Sequence, residues 1–133
     1  MPNDDTREWL NYAHMDYEVA VFLQGHQPLP IEIICYHCQQ AAEKAIKSVL
    51  VSGDREVPRI HDLPKLLALA SQQQPSLAEL FKQANRLTNY AAFTRYPGGI
   101  ELTEADMQLA LRYAWDIIHH IETLLTPKQP QTL

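Results

Sequence analysis

The sequence predicts an all-α protein, an up-and-down bundle of four main helices plus one short helix. Three observations predict it. Apolar residues recur at spacings of three and four along each long segment. The breaks between segments hold the proline, glycine and capping residues that stop and restart helices. No stretch of useful length alternates apolar and polar residues in the manner of a half-buried strand.

The first helix is predicted from about Asp5 to Gln24, with Trp9, Ala13, Tyr17, Ala20 and Leu23 on one face. Asp16 shares that face, and a carboxylate among apolar neighbours needs a partner because an unpaired buried charge is expensive. Met15, Val19 and Phe22 form a second apolar patch that a lone bundle would leave wet, which points to a partner surface. Gly25 through Pro30 breaks the chain. The second helix then runs from about Glu32 to Val51. Cys35, Cys38, Ala45, Ile46 and Val49 fall on one side of it, and His37, Gln40, Lys44 and Lys47 on the other.

After Ser52-Gly53-Asp54, Asp62 caps a short helix from Leu63 to Ala70. Ser76-Leu77-Ala78-Glu79 has capping-box spacing and predicts a helix that buries Leu77, Leu80, Ala84, Leu87 and Ala91 and ends near Arg95. Thr103 through Asp106 resembles another cap, opening a last helix to Leu125 with Met107, Leu111, Ala114, Ile118, Ile121 and Leu125 inward. Pro127 closes it. The domain is therefore placed at 1–126, with a loose tail at 127–133.

At 133 residues the chain suits one domain with one core. Its formal charge of -5 argues against coating nucleic acid by bulk electrostatics, so any RNA contact must be local. The first ten residues show neither a basic leader nor an apolar run, and no segment approaches bilayer length, which gives a cytoplasmic expectation. Cys35 and Cys38 form a C-x-x-C, but both point into the apolar stripe and no second pair exists. Core thiols in a reducing compartment are the preferred reading. No H-E-x-x-H, Walker-type loop, G-x-G-x-x-G or G-x-S-x-G occurs, and four glycines leave little material for a phosphate cradle. Glu-x-x-His pairs for a di-metal bundle are also missing, and His119-His120 would bind a metal only with donors from another helix or subunit. Neither a cofactor nor a metal is expected.

Four features, in order and spacing, resemble the HEPN domain (higher eukaryote and prokaryote nucleotide-binding domain). They are Trp9, Ala13, Asp16 and Ala20 on the first helix; the segment His37 to Lys47; His61-Asp62-Leu63; and Arg95-Tyr96-Pro97. The run Gln39-Gln40-Ala41-Ala42-Glu43-Lys44-Ala45 is the most specific of them. The resemblance implies a four-helix bundle, frequently a homodimer and often encoded with a minimal nucleotidyltransferase. Branches of the family include toxin-antitoxin partners of that enzyme, metal-independent endoribonucleases and nucleotide binders. A fold shared by several functions does not choose among them.

Two candidate sites follow. His37, Gln40, Lys44 and Lys47, supplemented by His61, Arg95 and Tyr96, offer ammonium and imidazole groups for phosphate and an amide for a base edge. The competing reading is a solvated helix face on which Glu43 and Lys47, four apart, merely pair. The second candidate is catalytic. Ribonuclease members of the family carry an Arg followed by a His after four to six intervening residues, and six residues lie between Arg112 and His119. Seven helical positions turn by about 700°, so the two side chains point within roughly 20° of each other. His119 would serve as acid or base towards a 2′-hydroxyl and Arg112 would stabilise the phosphorane. Against this, Tyr113 follows the Arg where a small polar residue is usual, His120 competes with His119, and Asp116 offers Arg112 an ordinary ion pair. A non-catalytic assembly adaptor, built on the Met15, Val19, Phe22 and Trp115 patches, is the remaining alternative.

Overall fold

The computed structural model describes residues 3–93 and 101–126, and of 91–93 the backbone alone. Arg95, Tyr96, the side chain of Ala91 and the tail at 127–133 lie outside the described residues. Among those described there are five α-helices and no strand: α1 (Asp4–Leu23), α2 (Ile31–Ser52), α3 (Leu63–Ser71), α4 (Phe81–Phe93) and α5 (Glu104–Leu125). The bundle of four main helices plus one short helix is the predicted one.

α2 is the hub and packs against all four other helices. Its sequence explains the position, since small alanines at 41, 42 and 45 let neighbours approach while Ile34, Ile46, Val49 and Leu50 fill the space between them. Complete burial of an Ile or Leu side chain contributes about 1.5–3 kcal/mol. α5 supplies the facing wall with Met107, Ala110, Ala114, Ile117, Ile118 and Ile121. Cys35 and Cys38 are free, fully buried thiols within this core, as the apolar stripe predicts. Burial, with Asp106 and Glu32 nearby, pushes the Cys35 thiol up to about 12, and burial beside Cys35 raises Cys38 further.

Local capping fixes the helix starts. Asn3 Oδ1 accepts from Thr6 N at 2.7 Å, so α1 begins at Asp4. Asp62 caps α3 through Lys65 N at 3.1 Å, and Thr103 and Asp106 cap α5 reciprocally. On α1 the buried positions are Thr6, Leu10, Ala13 and Ala20, and half-buried Tyr17 and Leu23 pack against the core from the predicted face. One expectation needs correction: the Ser76 capping box does not open an α-helix. Pro75–Leu80 is a 3-10 turn and α4 starts at Phe81. Three residues per turn stack Leu77 above Leu80, and both are buried. The Ser76 hydroxyl instead meets His120 Nε2 on α5 at 3.0 Å.

No helix among the described residues is long and apolar enough to cross a membrane. Met15, Val19 and Phe22 are all exposed, Phe22 at 81%, as the patch on α1 predicts.

Candidate functional site

The polar side of α2 is organised by two carboxylates. Asp16, reaching over from α1, places Oδ1 3.0 Å from His37 Nδ1 and accepts a short hydrogen bond from the Lys44 ammonium through Oδ2. Asp16 thus has the partner its position demands, and it ties α1 to α2 at two points. Glu43, the residue before Lys44 on α2, does the same for a second set. Its Oε2 accepts from Lys47 Nζ at 3.0 Å, and its Oε1 lies 3.0 Å from His61 Nδ1 and 3.2 Å from Gln39 Nε2. Gln40 Nε2 donates to Gln39 Oε1 at 2.8 Å and links the chain of contacts outward.

This corrects the picture of a solvated face. Glu43 and Lys47 do pair at four-residue spacing, but their side chains are only 5% and 7% exposed. The charge on each is matched inside the protein, where an unpaired partner would be costly. His37 and Lys44 are half-buried, and His61 stands 68% exposed at the edge. His37 and Lys44 are thus gathered on Asp16, and Lys47 and His61 on Glu43 with Gln40 joined through Gln39, two clusters along the polar side of α2 where α1 packs, the α1–α2 groove. The sequence expectation for Arg95 and Tyr96 falls outside the described residues.

Trp9, which the sequence places on the apolar face of α1, and Tyr12, to which it gives no role, flank this groove. Lys44 Nζ lies 6.0 Å from the Tyr12 ring centroid and Lys47 Nζ 6.0 Å from that of Trp9. Glu8, Trp9, Tyr12 and Lys44 line a pocket of about 270 Å³. The signal was available in part: Glu8 and Tyr12 are four apart and precede Asp16 by another four, one line along α1. The spacing of Lys44 from that line depends on how α1 packs on α2, which no local pattern reveals.

The second candidate occupies the outer face of α5. His119 stacks on Trp115 with ring centroids 3.4 Å apart, and His119 Nδ1 lies 2.9 Å from the Trp115 carbonyl oxygen. Tyr17 of α1 packs against the same indole at 5.9 Å. Arg112 is 76% exposed, and its Nε is 4.0 Å from Asp116 Oδ2, a loose surface pair. Sequence reasoning missed His14, whose ring meets His119 edge-on at 6.4 Å and which pairs closely with Glu122. A cleft of about 490 Å³ beside them is lined by Ser76, Gln83, Trp115, Asp116, His119 and His120, among others. Among the described residues, no three His, Cys, Asp or Glu side chains are arranged to hold a metal ion.

A family model, that of the HEPN domain, matches residues 6–124, from the first turn of α1 to the last turn of α5. No curated protein matches the chain.

Proposed function

We propose that this chain, which belongs to the HEPN domain family, binds a nucleotide or single-stranded RNA in the α1–α2 groove, as the partner of a minimal nucleotidyltransferase in a two-component, toxin-antitoxin type system. The family supports a nucleotide- or RNA-related helical module. One observation carries the choice of groove: Asp16 holds His37 and Lys44 together with the Tyr12 ring beside the Lys44 ammonium, and Glu43 holds exposed His61 at the same polar side of α2. Aromatic faces next to cations are what a single-stranded nucleic acid requires, stacking for the base and charge for the phosphate.

The carboxylates do not exhaust the groove. An ammonium has three donors, and Asp16 takes only one from Lys44. Two carboxylates offset two lysines, so the groove adds little net charge and phosphate affinity is modest. A shallow salt dependence follows, equivalent to about one or two neutralised phosphates. The exposed Met15, Val19 and Phe22 support a homodimer, and the buried free thiols suit a reducing cytoplasm. The experiment is equilibrium binding of nucleotides and short RNA at low salt, with and without the product of any nucleotidyltransferase gene found adjacent to this one. Absence of binding in both conditions contradicts the proposal.

A specific observation favours a second reading, a metal-independent endoribonuclease on α5. With Nδ1 of His119 held by the Trp115 carbonyl, proton transfer falls to Nε2. In that chemistry the 2′-oxygen attacks the adjacent phosphorus, the bond to the 5′-oxygen breaks, and a 2′,3′-cyclic phosphate and a 5′-hydroxyl form. His119 would move a proton at one of those oxygens and Arg112 would face the phosphorane. Cleavage of mixed RNA in EDTA by the wild type, lost in His119→Ala at unchanged helicity, is the expected signature.

A further inference from the structure

The pocket formed by Glu8, Trp9, Tyr12 and Lys44 has a donor and acceptor pattern of its own. Resting on the nucleotide-binding reading above, we infer that this pocket takes a guanine base, with Glu8 as its specificity-determining residue. Glu8 and Tyr12 lie one turn apart on α1, Trp9 is beside them, and Lys44 closes the pocket from α2. The volume of about 270 Å³ admits a single base rather than an extended ligand. Tyr12, about half exposed, and half-buried Trp9 supply stacking surface that any base can use.

Selection comes from the polar pair. An ionised carboxylate only accepts hydrogen bonds, and an ammonium only donates them. Guanine presents an acceptor, O6, followed by two adjacent donors, N1–H and N2–H. O6 accepts one bond from Lys44, and N1–H and N2–H donate a bidentate pair to Glu8. Adenine offers one donor beside an acceptor, cytosine one donor beside two acceptors, and uracil a single donor between two acceptors that repel a carboxylate. Each of these forfeits at least one charge-assisted bond, which corresponds to about tenfold or more in affinity.

Charge also fixes the orientation of the ligand. Glu8 repels phosphate, so the base occupies its side of the pocket. The phosphate lies away from Glu8, towards the groove that holds His37. Asp16 follows Tyr12 by one more turn of α1 and keeps Lys44 in place, which makes it a positioning residue for the same pocket.

The chain has two tryptophans, Trp9 and Trp115. A Trp115→Phe protein therefore reports on the pocket alone through Trp9 fluorescence. It is titrated with GMP, AMP, and short single-stranded RNAs that either contain or lack guanine, at low salt, after circular dichroism has confirmed its helicity. The expected result is at least tenfold tighter binding of GMP than of AMP. A Glu8→Gln change, at an exposed position, should bring the two within about threefold, and Tyr12→Ala should weaken both. Whether GMP or the guanine-containing RNA binds more tightly identifies the source of the base, and a guanine preference in either supports the inference. Equal affinity for GMP and AMP, together with equal affinity for the RNAs that contain and lack guanine, overturns it and leaves the nucleotide-binding reading standing. No binding of any nucleotide or RNA overturns both.

Discussion

Glu43 is the residue on which the groove most depends. It receives Lys47, His61 and Gln39 from a nearly dry position, so its removal leaves a buried ammonium without a counter-charge. Glu43→Ala is expected to cost about 3–5 kcal/mol in urea-unfolding measurements, and Glu43→Leu combined with Lys47→Met should recover most of that loss. Arg112→Ala, which breaks only a loose surface pair, should change stability by less than about 0.5 kcal/mol. The four-residue spacing of Glu43 and Lys47 was legible in the sequence. Their burial was not, because the cover comes from α1 and from His61, which are distant in the chain. Asp16 was legible as a carboxylate in need of a partner, but not the identity of Lys44 and His37 as that partner.

At the scale of elements, composition and spacing fixed the helices well, except where a short-range pattern fits two structures. Ser76 to Glu79 reads as a capping box, yet Pro75 and the leucines at 77 and 80 suit a 3-10 turn, and the hydroxyl of Ser76 found His120 instead. Thr103 had no such rival and caps α5 as its sequence predicts. Thr103→Ala should therefore cost about 1 kcal/mol, read by chemical denaturation, while Ser76→Ala should leave the start of α4 unchanged by circular dichroism. The C-x-x-C on α2 gives a pH prediction. The folded Cys35 thiol is raised to about 12 from an ordinary value near 9, so the unfolded chain releases its proton first. Stability is fully present below about pH 9 and falls as pH rises towards 12. Tyr17 and Tyr90, also raised by burial, act in the same direction. A Cys35→Ala protein should lose stability less steeply over that range.

The whole molecule is a bundle centred on α2, with one face of that helix in the core and the other in the groove. This division explains why the fold and the candidate groove were unequally readable. The core face follows from periodicity alone, whereas the groove needs the packing of α1 on α2, which places Trp9, Tyr12 and Glu8 beside residues over thirty positions away. His14 beside His119 was hidden for the same reason, on the α1–α5 seam. The exposed Met15, Val19 and Phe22 belong to this scale too. The homodimer proposed above through this patch predicts that a charged substitution of Phe22 lowers the sedimenting mass without loss of helicity.

The central claim is that the α1–α2 groove contacts nucleotide or RNA. Its most direct measurement is fluorescence-anisotropy titration of a labelled single-stranded RNA at low salt with wild-type protein and with a His37→Ala, His61→Ala double variant. Both imidazoles sit at the rim of the groove rather than in its buried centre. Binding by the wild type and a several-fold loss in the variant at unchanged helicity are expected. No binding by the wild type, or equal affinity in both proteins, would contradict it.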